Sequence, residues 1–97
     1  MYALYLLKKS DKTVIDKILG DDIIGRQALT QKDAASYGLP DGNILLLYEG
    51  SAEADSRMKE LFGSFLKLLE EPEAKEVYQK IKDEESQAEG GLGYIFG

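Results

Sequence analysis

The sequence predicts a small α/β two-layer sandwich, a sheet with helices packed on one face. Three observations lead there. Tyr2–Leu7 and Asn43–Tyr48 are continuous apolar runs of strand length. After each of them, apolar residues recur at steps of three and four, the helical period. Glycines, prolines and capping residues punctuate the runs. The 97 residues are expected to form a single domain, 1–97.

The elements follow in order. Tyr2–Leu7 reads as a strand buried on both sides. Ser10 is the expected N-cap of a short helix, with Asp11 in its first turn. Val14, Ile15, Ile18 and Leu19 share one face of that helix, Gly20 ends it, and Asp21-Asp22 reads as a solvated turn. Ile23–Leu29 is the second expected strand, with Gly25, Arg26 and Gln27 marking it as an edge. Thr30 caps one or two helical turns through Tyr37, with Asp33 three residues on. Gly38 stops them, Leu39 folds back, and Pro40-Asp41-Gly42 forms a turn.

The central strand Asn43–Tyr48 leads through Glu49-Gly50-Ser51 into a long amphipathic helix, with Ser51 as its expected N-cap. Its stripe is Ala54, Met58, Leu61, Phe62, Phe65, Leu66 and Leu69. Phe62 and Phe65 are expected in the core. Glu53–Arg57 and Asp55–Lys59 are expected i,i+4 ion pairs on the outer face. Gly63, inside this helix, marks an expected close approach. Pro72 opens a last helix lined by Ala74, Val77, Tyr78 and Ile81, ended by Gly90-Gly91. The tail set Leu92, Tyr94 and Phe96 is expected to dock, on an edge of the sheet or on a second copy.

Composition narrows the chemistry. There is no cysteine and no histidine. This removes disulfides, thiolate and Ser-His catalysis, and makes a zinc site unexpected. The net charge is −6, and residues 51–97 carry 11 of the 18 acidic side chains. An acidic chain repels phosphate backbones, so nucleic acid is not an expected partner. No stretch approaches membrane-span length, and the lysines follow the N-terminal apolar run rather than precede it. A cytoplasmic protein is expected. Lysine and glutamate enrichment hints at a thermophilic source.

Three features are candidate sites. The turns Lys8-Lys9-Ser10 and Gly50-Ser51 each follow a strand and open a helix, where free amides hold anions. Parallel, adjacent strands would bring both turns to one edge. An antiparallel sheet would place them on opposite edges and dissolve the site. Asp83, Glu84, Glu85 and Glu89 form an acidic cluster without the spacing of a calcium loop. Six tyrosines could donate protons or stack on a ligand. No catalytic residue, metal ligand or cofactor motif is identified.

The run Thr30–Leu46 locally resembles the helix–turn–strand unit of double-psi barrel domains; it covers under a fifth of the chain and carries no function with it. The whole element order resembles in outline the ferredoxin-like fold, a short helix replacing the hairpin between the second and third strands. A small three-layer parallel α/β fold is the alternative. Fold does not assign function. The leading expectation is a non-enzymatic binding or regulatory module acting through protein–protein contact, with a protein partner or self-association. The alternatives are a sensor of a small anionic metabolite at Lys8, Lys9, Ser10, Gly50 and Ser51, and an enzyme working without His or Cys.

Overall fold

A computed structural model describes the backbone of residues 1–96 and the side chains of residues 1–87. The elements are β1 (Tyr2–Lys8), α1 (Thr13–Gly20), β2 (Ala28–Asp33), β3 (Asn43–Glu49), α2 (Ala52–Phe62), β4 (Lys67–Leu68) and α3 (Glu73–Phe96). The sheet order is β2-β3-β1-β4, and every neighbouring pair is antiparallel. Two interleaved β–α–β units produce this order. β1 and β2 flank β3, and β3 and β4 flank β1. This is the ferredoxin-like arrangement expected, with a 3-10 turn at Ala34–Tyr37 between β2 and β3. The parallel alternative is excluded.

The sandwich is built on α1 and α2. They cover the sheet face formed by Ala3, Tyr5, Leu7, Leu46 and Tyr48, with Val14, Ile15, Ile18 and Met58 as their main inserts. The last helix extends the expected layering. α3 sets Ala74, Val77 and Ile81 against the opposite face, where Leu4, Leu6, Leu45 and Leu47 lie. The register explains why both faces need a cover. Leu4 stands opposite Leu47 and Tyr5 opposite Leu46, so neither alternating set of β1 and β3 is polar.

Several boundaries differ from expectation, each for a local reason. Ser10 lies in a 3-10 turn, Lys9–Asp11, and caps nothing; α1 starts at Thr13 without a side-chain cap. Asp21 is not a solvated turn residue. Its carboxylate accepts the amides of Ile23 and Ile24, which winds Ile24–Arg26 into a 3-10 turn and buries Ile24. The second strand therefore begins at Ala28, and Thr30 is a strand residue. Asp33 takes over as the cap, accepting the amide of Ala35. Gly38 ends the 3-10 turn at φ +74°, and the amide of Leu39 returns to the carbonyl of Ala34, as expected.

The largest departure follows Phe62. α2 ends there, Gly63–Phe65 is a 3-10 turn, and Lys67–Leu68 is the fourth strand. Gly63 has open space around its α-carbon rather than a close neighbour. Phe62 packs at the rim of the core, whereas Phe65 is 45% exposed and Leu61 is also exposed. The helical stripe was continuous in sequence, but the uncovered edge of β1 offers backbone partners that a longer helix would leave unpaired. At the other end, α3 runs through Gly90-Gly91 to Phe96. Each glycine weakens a helix by about 1 kcal/mol without forbidding it. The tail is thus helical backbone and not the edge strand that was one of its two expected ways to dock, and the docking of Leu92, Tyr94 and Phe96 lies outside the described side chains.

Candidate functional site

The two lysine- and glycine-containing turns do not form one site. β1 and β3 are antiparallel, with Lys8 opposite Asn43 and Tyr2 opposite Glu49. Lys8, Lys9 and Ser10 therefore lie at one end of the sheet, and Gly50 and Ser51 at the other, about 20 Å away at strand rise. Several of the groups an anion would need are also engaged. The Lys9 amide donates to the carbonyl of Gly42 and the Gly50 amide to that of Met1. The Ser51 amide donates to the Gln27 side chain, while its hydroxyl accepts the Ala54 amide and caps α2 as expected. The ammonium of Lys9 pairs with Asp33 at 3.4 Å.

The tyrosines are organised by carboxylates. Tyr2 donates to Glu71, Tyr5 to Asp55, Tyr37 to Glu84 and Tyr78 to Glu49. Tyr48 donates to the carbonyl of Ser51. Burial, reinforced by an adjacent carboxylate, pushes the hydroxyls of Tyr2, Tyr5, Tyr37 and Tyr78 up from their ordinary pKa. They remain protonated donors at neutral pH and are unsuited to general-base work. Tyr2 and Tyr78 stack with centroids 4.0 Å apart, and Lys82 lies over the Tyr78 ring while pairing with Glu49 at 2.9 Å. This cluster fastens α3 to the sheet. Tyr94 lies outside the described side chains.

Other carboxylates are likewise engaged. Glu84 holds Tyr37, Glu85 pairs with Lys82, and Asp83 accepts from Gln79. Glu89 lies outside the described side chains. Among the described residues no group of three or more acidic side chains converges as a metal site would require. The expected Glu53–Arg57 pair is replaced by Asp21–Arg57, two-pronged at 2.9–3.1 Å. The Asp55–Lys59 pair forms at 3.3 Å, but Asp55 is 4% exposed and faces Tyr5 rather than solvent. No buried side-chain nitrogen or oxygen among the described residues lacks a partner.

Open clefts gather at the β4 edge, and a further one, of about 430 Å³, lies on the outer face of α3 by Lys75, Gln79 and Asp83. Three clefts surround the segment Leu66–Glu71. One, of about 310 Å³, lies by Met1, Tyr2, Lys59 and Leu68. A second, of about 880 Å³, runs between Leu6, Leu39, Pro40 and the segment itself. A third, of about 300 Å³, continues it past Phe65 to Lys8. Phe65 and Leu68, 45% and 44% exposed, flank this edge with apolar surface. The amide of Leu69 donates inward to the carbonyl of Leu4, so alternation turns the amide and carbonyl of Leu68 outward. The helical period of the sequence hid this strand, since Leu66 and Leu69 fit an i,i+3 stripe as well as an extended segment. The Gly63-Ser64 pair was the available signal. Comparison with protein families, curated proteins and solved structures finds no match to this chain.

Proposed function

We propose that the chain is a non-enzymatic binding module that acts through protein–protein contact, with the β4 edge as its contact surface. One observation carries this reading. A two-residue edge strand leaves outward backbone groups beside exposed Phe65 and Leu68, next to an open groove lined by both leucines and charged side chains. Strand addition uses this combination: the partner's backbone pairs with the edge and its side chains enter adjoining pockets. The other edge, β2, is less suited. It presents Gln31, Lys32 and Asp33, and its apolar Leu29 is packed against the core. The metabolite-sensor reading loses support, because its two turns are at opposite ends of the sheet.

The test has two arms. A thermal-shift screen with nucleotides, amino acids, phosphorylated metabolites and metals should give no stabilisation. Extended peptides selected from a displayed library should shift the backbone NMR signals of residues 66–71. A stabilising metabolite, or selected peptides that perturb another surface, would overturn the proposal.

A further inference from the structure

We propose that Asp41 is a self-modification site: the Gly42 amide nitrogen captures its side-chain carboxyl, and the chain is rerouted through the side chain as isoaspartate. This goes beyond the binding-module reading and does not depend on it.

Asp41-Gly42 is the one aspartate–glycine step in the sequence. Glycine obstructs ring closure least, because no β-carbon crowds the attacking nitrogen. Both residues are exposed, and Gly42 holds φ +81° in the turn before β3. The Gly42 amide donates to Oδ1 of Asp41 at 2.8 Å, so the carboxyl lies against the nitrogen that must attack it. Other aspartates are held differently. Asp21 accepts the amides two and three positions on, and Asp33 the amide two positions on. Asp55, followed by Ser56, is buried in α2 and engaged by Tyr5 and Lys59.

The chemistry needs only water. The Gly42 nitrogen bonds to Cγ of Asp41 while the Cγ–OH bond of the protonated carboxyl breaks. The amide hydrogen and the hydroxyl leave as one water, and a succinimide remains. Water then adds to one ring carbonyl. Breaking the bond from nitrogen to Cγ restores aspartate. Breaking the bond from nitrogen to the main-chain carbonyl carbon of Asp41 gives isoaspartate, with the α-carboxylate free and the net charge unchanged. The backbone has gained one methylene at the entrance to β3. There the Gly42 carbonyl accepts the Lys9 amide at 2.9 Å, just beyond the Lys8–Asn43 end of the β1–β3 ladder. A longer turn displaces that carbonyl and leaves the Lys9 amide to water.

The full chain is aged at neutral pH and mapped by fragmentation that separates isoaspartate from aspartate. The same chain in urea serves as the clock. In the folded chain, isoaspartate should accumulate at residue 41 severalfold above every other aspartate, preceded by a species lighter by one water. In the separated isoaspartate form, hydrogen exchange at the Lys9 amide should quicken about two- to tenfold, the worth of one hydrogen bond. Asp41→Glu keeps the charge but needs a larger ring, so it should stay unmodified and keep the Lys9 amide protected. Circular dichroism checks that this variant is folded, and the wild-type measurements need no variant. A folded chain still unmodified when the chain in urea is half converted would overturn the proposal. So would isoaspartate spread evenly over the aspartates, or equal conversion of Asp41→Glu. Unchanged Lys9 exchange in the isoaspartate form would overturn its effect on the ladder.

Discussion

The hydroxyl of Tyr5 donates a hydrogen bond to the carboxylate of Asp55, and both side chains are buried between the sheet and α2. Fifty positions separate them in the chain. The bond allows an acidic residue to sit on the inner face of a helix, with Lys59 as its second partner. Removing one member leaves the other without its acceptor or donor. Tyr5→Phe should therefore cost about 1–3 kcal/mol in urea melts, well above the near-zero effect of an unbonded hydroxyl. A loss below about 0.5 kcal/mol would show that Asp55 finds water or Lys59 sufficient.

Gly25 is required by space. A β-carbon there would lie 2.3 Å from the carbonyl oxygen of Leu19, a backbone atom that cannot swing aside. Gly25→Ala should destabilise by about 1–3 kcal/mol or more through forced backbone displacement. Gly63→Ala is the control, because nothing lies within 4 Å of its added carbon. Equal melting temperatures for the two variants would contradict this contrast.

The two serines expected as caps should separate. Ser51→Ala removes the acceptor of the Ala54 amide and should cost about 1 kcal/mol. Ser10→Ala removes no cap and should change stability by less than about 0.5 kcal/mol. Equal losses in chemical denaturation would refute the assignment.

Phe65→Ala should be nearly neutral for folding, within about 0.5–1 kcal/mol, because the ring is 45% exposed. A loss of about 3–5 kcal/mol, the value for a core phenylalanine, would return Phe65 to the interior.

Asp21 makes stability depend on acid. The Arg57 guanidinium, with the Ile24 and Ile23 amides, holds its carboxyl well below the ordinary carboxylate range, against an opposing push from partial burial. The folded chain thus binds this proton less readily than the unfolded one. The stabilisation is fully present above the unfolded value of about 4 and is lost as pH falls through the lower folded value. Asp21→Asn should flatten the fall in stability below about pH 5. An unchanged slope in acid titrations would assign the acid sensitivity to other carboxylates, such as Glu49, which Lys82 and Tyr78 also hold down.

The sequence by itself determined the elements whose signals are local. β1 and β3 are apolar runs, the Gly38 stop and the Pro40–Gly42 turn rest on neighbouring residues, and Ser51 caps the helix it precedes. The apolar stripe of Ala74, Val77 and Ile81 was likewise legible, because its period is set within one helix. Tertiary structure decided the rest. Asp21 turned the Ile23–Leu29 run away from strand because Arg57, 36 positions on, and two nearby amides share its carboxylate. β4 exists because the edge of β1 offers it hydrogen bonds, which no local period records. The tyrosine–carboxylate bonds span 29 to 69 positions, so composition announced an excess of both groups and not their pairing. The candidate edge was hidden for the same reason. A two-residue strand has too little local preference to oppose a helical stripe, and its conformation comes from the strand beside it.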